Sequence, residues 1–305
     1  MTPEQLKTCL QGVLAFMPTP FTSDDAVDIP GLAQHTDFLC RSGTHIVVVC
    51  GGVGEFFSLD LDEYRACIRA AVDAAAGRVP VIAGIGYSTR SACRLAQHAE
   101  SVGADGLMIN PPYFVESSED GMFQHYRALA QATSLGMIVF STRSAVYTPR
   151  MVTRLADIPS VIALKDEYGD LKMFVETQEV LGDRLVWING MAEPLAAPYF
   201  GAGVQAMTSG IVNVLPDLSL GIWNAGAAGR WCELRELVAR VRPLVRLRER
   251  QKGYHITVIK EAMNLLGRPG GAVRSPLVPL TLADRDDLRH VLAELGCTSM
   301  LAGRG

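Results

Sequence analysis

From residue 13 to about residue 225, short β-branched apolar runs alternate with longer stretches whose apolar residues recur every three or four positions. The runs cover residues 13–16, 45–50, 79–83, 106–109, 136–140, 161–165, 185–188 and 204–207. Between them lie helical patterns, among them 61–76, 90–102, 121–133, 148–156 and 171–181. In Glu63-Tyr64-Arg65-Ala66-Cys67-Ile68-Arg69-Ala70-Ala71-Val72 the spacing is that of a helix with one buried face. Strands that are apolar throughout belong to a sheet covered on both sides, and their alternation with helices gives βα units in a parallel sheet. Eight such units predict an α/β fold, a (β/α)8 TIM barrel. The competitor, an open doubly wound sheet, usually carries a Gly-rich phosphate turn after its first strand. Here that strand runs into Met17-Pro18-Thr19-Pro20-Phe21, so the barrel is preferred.

Past residue 228 the strand signal stops. Helical patterns follow at 230–250, 254–266 and 282–295, with Thr281 as N-cap of the last. The chain is therefore divided into a barrel domain, 1–228, and a C-terminal helical extension, 229–305, whose segment from Cys297 to Gly305 is expected to fray. Interleaved glutamates (Glu233, Glu236, Glu249) make 230–250 a solvated, subunit-facing helix rather than a basic binding patch.

Composition narrows the function. With 49% hydrophobic and 20% charged residues and a net charge of -4, the 305-residue chain offers no electrostatic footprint for nucleic acid or an anionic membrane. No apolar run approaches the roughly 18 residues of a spanning helix. Met1-Thr2-Pro3-Glu4-Gln5 lacks the basic and apolar regions of a leader. The seven cysteines are scattered, with no Cys-x-x-Cys pair, and read as reduced thiols of a cytoplasmic protein. The six histidines include no ligand pair at helical spacing, so no metal is expected.

Barrel chemistry comes from the C-terminal ends of strands. The first end carries Thr19 and Pro20. The second carries Gly51-Gly52-Val53-Gly54-Glu55, and the fourth Asn110-Pro111-Pro112-Tyr113. The fifth reads Phe140-Ser141-Thr142-Arg143-Ser144, the sixth Lys165-Asp166, the seventh Asn189-Gly190 and the eighth Thr208-Ser209-Gly210. Burial disfavours an ammonium ion, so Lys165 at a covered strand end becomes available as a free amine. An amine there can condense with a ketone to an iminium, an electron sink for a carbanion next door. The glycines at 51, 52 and 54 leave backbone N–H groups uncovered, suited to a carboxylate. Glu55 reads as a turn-bracing acid and Lys260, in the middle of a helix, as structural.

These residues carry a resemblance. Pro18-Thr19-Pro20-Phe21, Gly51-Gly52-x-Gly54-Glu55-Phe56-Phe57-Ser58-Leu59, Gly103-Ala104-Asp105-Gly106, Pro112-Tyr113 and Lys165-Asp166-x-x-Gly169-Asp170 are similar to the dihydrodipicolinate synthase / N-acetylneuraminate lyase superfamily. Lys252-Gly253-Tyr254 and Gly271-x-Val273-Arg274-x-Pro276-Leu277 resemble its 5-dehydro-4-deoxyglucarate dehydratase branch. The resemblance runs from about residue 4 to 295. It implies a Schiff base between Lys165 and a 2-oxo acid, and loss of water and carbon dioxide to give 2,5-dioxopentanoate. It further implies no cofactor, a small-molecule 2-oxo acid or sugar-acid substrate, and a homo-oligomer (dimer or tetramer) with Tyr113 near the subunit contact.

The departures from that pattern lie in the pocket. Phe140 stands where the family has a proton-relaying tyrosine, and a phenyl ring has no proton to give. Val53 replaces a threonine, and Ser141, Thr142, Ser144 and Ala145 replace most of the branch's polar run, leaving Arg143. Tyr113, Tyr147, Tyr168 or a water on Ser141 are the candidate replacements for the tyrosine. The expected catalytic set is Lys165, Tyr113 and Tyr147. The expected substrate-binding set is Thr19, Gly51, Gly52, Val53, Phe140, Arg143, Glu167, Ser209 and Gly210. Three readings follow: a dehydratase on a 2-oxo sugar acid; a pyruvate- or 2-oxo-acid-dependent aldolase; and a catalytically weakened ligand-binding homologue, against which a costly buried amine counts.

Overall fold

A computed structural model of the protein describes residues 1–112 and 116–297. Eight parallel strands close into a barrel in chain order. They are β1 (Gly12–Phe16), β2 (Ile46–Val49), β3 (Val81–Ile85), β4 (Gly106–Ile109), β5 (Gly136–Ser141), β6 (Val161–Asp166), β7 (Val186–Asn189) and β8 (Ala206–Ser209). The helices that precede and connect them are α1 (Pro3–Cys9), α2 (Ile29–Arg41), α3 (Leu61–Ala75), α4 (Thr89–Ser101), α5 (Glu119–Ala132), α6 (Pro149–Ala156), α7 (Leu171–Leu181) and α8 (Ala196–Gly201). After β8 come α9 (Pro216–Ala227), α10 (Trp231–Glu249), α11 (Tyr254–Leu265) and α12 (Leu282–Glu294). Each expected strand is present, displaced by no more than a few residues. β3, for example, starts after Pro80, which accepts from the Val47 N–H but has no N–H of its own to donate.

The barrel is filled, not hollow. Leu14, Ile46, Val48, Ile82, Met108, Ile138, Ile188 and Ala206 pack together inside it. Thr2 caps α1 through a reciprocal pair with Gln5, and that helix delivers Leu6 and Leu10 to the same cluster, sealing the N-terminal end. Only the C-terminal mouth is left for chemistry. Around the barrel, helices and strands share a second apolar layer.

The C-terminal helices are tied to the barrel by charge. Lys260 on α11, 1% exposed, reaches back to the Glu55 carboxylate at 2.5 Å and the Thr19 carbonyl at 2.8 Å. Arg274 pairs with Glu63 on α3 and with Asp25, and its backbone N–H donates to the second Glu55 oxygen. Glu55 thus braces a turn, as its sequence position suggested. α10 is solvated on one side only, because Leu234, Val238, Val241, Leu244 and Val245 are buried. Of the segment from Cys297 to Gly305, all beyond Cys297 lies outside the described residues.

A second tie sets the mouth itself. Asn213, just after β8, donates its amide to the carbonyls of Phe16 and Gly210, joining the ends of β1 and β8. Its amide oxygen faces His35 Nε2 at 2.8 Å, so that nitrogen carries a proton. Burial lowers the His35 pKa to about 4, the bond to Asn213 opposing and Arg268 assisting. In the unfolded chain the imidazole titrates near 6.5. Between those values the unfolded chain binds the extra proton, so stability is full above pH 6.5 and is lost as the pH falls towards 4. The loss should reach roughly 3 kcal/mol. A His35→Gln variant, followed by urea unfolding at pH 7 and 4.5, should lose this part of the pH dependence.

Candidate active site

Side-chain alternation on β6 decides what faces the mouth. Lys165 lies in register with Phe140 on β5 and Ile188 on β7, both inside the barrel. Asp166 turns outward, where its carboxylate accepts from the Tyr199 hydroxyl and from the N–H groups of Tyr168 and Gly169. Burial raises the Asp166 pKa, against these hydrogen bonds. It fixes the loop that follows. Glu167 points inward again, and its backbone N–H donates to the Ser141 carbonyl at 2.8 Å, extending the β5–β6 pairing by one residue.

Lys165 is 3% exposed. Its Nζ donates to Glu167 Oε2 at 2.7 Å and lies 3.6 Å from the centre of the Phe140 ring and 4.5 Å from that of Phe16. Two cavities meet at this amine. One, about 300 Å³, runs towards β2–β5 and is walled by Phe16, Val53, Phe56, Phe57, Tyr87 and Phe140, with Gly52, Asn110, Thr142 and Ser144 at its polar edge. The other, about 380 Å³, runs towards β7–β8 past Gly190, Thr208, Ser209, Gly210 and Arg248. Glu167 and His255 line both. A larger hollow of about 490 Å³ lies on the outer face of α11 and α12. Its Arg285 and Arg289 are already paired with Glu261 and Asp286, and it is remote from the strand ends. Lys165, by contrast, lines both cavities at the strand ends.

The donors around the amine are suited to an acid. The N–H groups of Gly52 and Val53 have no acceptor among the described residues, and a Cβ added to Gly52 would meet open space. Asn110 Nδ2 is buried without a partner among the described residues. Arg248 donates Nε to the His255 carbonyl at 3.3 Å and has no carboxylate within 4.0 Å among them. Burial lowers its pKa, with the charges of Glu193, Glu249 and Glu167 opposing. A Cβ at Gly210 would stand 3.1 Å from Arg248 Nη2, so a glycine there leaves room for the guanidinium. Desolvation also lowers the pKa of His255, Arg248 acting in the same direction and Glu167 against it. Among the described residues no three His, Cys, Asp or Glu side chains are grouped to hold a metal ion.

Of the residues expected from sequence, Lys165, Gly52, Val53, Phe140, Glu167, Ser209 and Gly210 come together at these cavities. The Ser209 hydroxyl is engaged by Glu193, Ser219 and the Val212 N–H. Thr19 lies beneath the mouth, bonded to the Gly54 carbonyl, and Gly51 packs on Phe16. Arg143 is exposed and lines neither cavity. Tyr147 is buried beside Tyr126, their hydroxyls 3.4 Å apart, and burial raises its pKa to about 12. It borders a different hollow, with Glu116 and Ser144. Ser141 faces outward, its buried hydroxyl without a partner among the described residues. Tyr168 is 38% exposed and lines neither cavity, while Tyr113 lies outside the described residues. Sequence reasoning missed Arg248 and His255, which reach the mouth from α10 and α11.

Comparison with known proteins agrees with this geometry. A model of the dihydrodipicolinate synthetase family matches residues 9–295. The chain is 36% identical over 303 residues to a protein of Bradyrhizobium diazoefficiens, covering 97% of this chain and 96% of that one. It is 39% identical over 285 residues to one of Xanthomonas campestris pv. campestris, covering 92% and 93%. Both are named as probable 5-dehydro-4-deoxyglucarate dehydratases. Among solved structures, dihydrodipicolinate synthase from Oceanobacillus iheyensis superposes with a TM-score of 0.92 at 27% identity, over 96% of this chain and 99% of that one. The enzyme of Acinetobacter baumannii, complexed with pyruvate, gives 0.88 at 25%, over 95% and 99%.

Proposed function

The chain belongs to the dihydrodipicolinate synthetase family, and from that premise we propose that it is a lyase that joins a 2-oxo acid to Lys165 as a Schiff base. Its substrate on this reading is 5-dehydro-4-deoxyglucarate, which it converts to 2,5-dioxopentanoate, water and carbon dioxide. The relatives' names support the substrate, and the family's pyruvate complex supports a 2-oxo acid at this mouth. The single observation that carries the reading is the Lys165 amine, buried where two cavities meet and a step from uncommitted backbone donors.

The geometry divides the work. The acid next to the ketone suits the N–H groups of Gly52 and Val53. The rest of the molecule then lies towards Asn110 or Arg248. With the ketone held as an iminium, the neighbouring carbon releases a proton and the next carbon releases its hydroxyl as water. The resulting conjugation connects the distal C–CO₂ bond to the same iminium, which takes up its electrons as carbon dioxide leaves. The dienamine so formed regains a proton on carbon, its enol end becomes the aldehyde, and hydrolysis of the restored iminium frees Lys165 and 2,5-dioxopentanoate. The wall of Phe16, Phe56, Phe57, Tyr87 and Phe140 favours one second reading, aldol-type cleavage of a less polar 2-oxo acid to an aldehyde.

Product analysis by NMR after incubation with 5-dehydro-4-deoxyglucarate separates the two. 2,5-Dioxopentanoate is expected; an unchanged spectrum, with pyruvate and an aldehyde released instead from a less polar 4-hydroxy-2-oxo acid, would transfer the chain to the second reading. We propose as well that the division at 228/229 marks a barrel and a helical extension, since only helices follow it among the described residues.

A further inference from the structure

The amine of Lys165 has one hydrogen-bond partner among the described residues, the Glu167 carboxylate at 2.7 Å. The remaining near surface is aromatic, from Phe140 and Phe16. Making an imine needs proton traffic at that nitrogen: an ammonium must give up its proton before it attacks, and the carbinolamine oxygen must gain protons before it leaves. Neither ring can do this. Of the hydroxyls in and after strand 5, Tyr147 packs against Tyr126 and Ser141 points out of the barrel, while Thr142 and Ser144 line the cavity without bonding to the amine. Glu167 is on a rigid mount, two residues on from Lys165 and bonded through its backbone to β5.

We propose that Glu167 is the catalytic acid–base group of Schiff-base formation, doing the work that a strand-5 tyrosine would do and Phe140 cannot. The carboxylate takes a proton from the Lys165 ammonium, and the freed amine attacks the ketone carbon to form the C–N bond. Glu167 returns that proton to the oxygen, takes a second from the nitrogen, and passes it to the hydroxyl. The C–O bond breaks and water departs. Three protons begin on nitrogen; one remains on the iminium and two leave in water, so Glu167 ends as the carboxylate it was. No further reactant is required.

The inference rests on Lys165 being the imine former, and the experiment separates the two. Pyruvate is mixed with the enzyme, borohydride is added after increasing delays, and the trapped adduct is followed by intact mass. The wild-type chain should form adduct, and Lys165→Ala none; a wild-type chain without adduct would remove the parent reading instead. Glu167→Gln keeps size and hydrogen bonding but not the proton exchange. It should slow adduct formation by about 10²–10⁴ while reaching the wild-type level at long delays, because the nucleophile is intact. Adding Phe140→Tyr to Glu167→Gln restores a proton donor over the amine and should recover much of the rate. Wild-type trapping rates in Glu167→Gln would overturn the proposal. So would a slow single variant that Phe140→Tyr fails to improve, since the loss would then be structural.

Discussion

Lys165→Ala should turn over 5-dehydro-4-deoxyglucarate more slowly than the parent chain by a factor on the order of 10⁶, the scale seen when a covalent nucleophile is removed elsewhere. The expectation is large because nothing nearby can substitute. The other buried amine, on Lys260, is held by Glu55 and the Thr19 carbonyl beneath the mouth. It lines neither of the two cavities. Arg248 is charged at any working pH and is no nucleophile. The folded barrel should survive, since the filled interior of Leu14, Ile46, Met108 and Ile138 does not depend on the lysine head. Initial rates by NMR, with the unfolding midpoint as control, check it. A drop of less than about 10²-fold, the low end of what general acid–base help alone supplies, would mean that Lys165 assists the chemistry without carrying it.

The second large effect is on stability. Lys260→Met should destabilise the protein by about 3–5 kcal/mol, the cost of breaking a buried ion pair from one side. Glu55, 0% exposed, would lose its cationic partner and keep, among the described residues, only the Arg274 N–H. Its backbone is held at a φ of 52°, a left-handed conformation uncommon for residues other than glycine, so the turn carrying Gly51, Gly52 and Val53 depends on the same contact. Burial lowers the Lys260 pKa to about 8, with Glu55 opposing; the pair sits in a setting where neither charge is comfortable alone. Adding Glu55→Gln should return most of the loss, because the orphaned charge disappears. Urea titrations of the single and double variants test both statements. Equal losses in the two would show that packing, not charge, accounts for the effect.

The barrel was legible because its signal is repeated. Each run of four to six apolar residues is weak evidence alone, but eight of them separated by one-sided helices leave few folds to choose from. Strand ends were less legible. The apolar run 204–207 suggested a strand from Val204, yet β8 begins at Ala206, since Val204 still closes the turn after α8 by bonding to the Tyr199 carbonyl. At the site, Lys165 stood out as a cation ending a buried strand. The direction of its neighbours could also have been read: alternation with Phe140 inward puts Ser141 outward, which removes its hydroxyl from the reacting centre. Arg143 follows in the loop, where no such rule applies, and it ends exposed. Arg248 and His255 were hidden for another reason. They flank the Lys252-Gly253-Tyr254 turn in the helical extension, and helical periodicity does not distinguish an arginine in solvent from one that leans over a barrel mouth.

Glu167 had a sequence signal that was only half used. A second inward position follows two residues after any inward strand residue, so a carboxylate at Lys165 plus two lies within reach of the amine by backbone geometry. Its consequence is a site whose proton handling comes from the residue just past the nucleophile's own strand, with strand 5 contributing a ring.

On this mechanism the reacting ketone becomes bound to Lys165. Wild-type enzyme can be incubated with 5-dehydro-4-deoxyglucarate, reduced with borohydride, digested and mapped by tandem mass spectrometry. One modified peptide is expected, with the mass increment on Lys165 and none on Lys260. An increment on another lysine, or turnover with no trapped peptide at all, would contradict it.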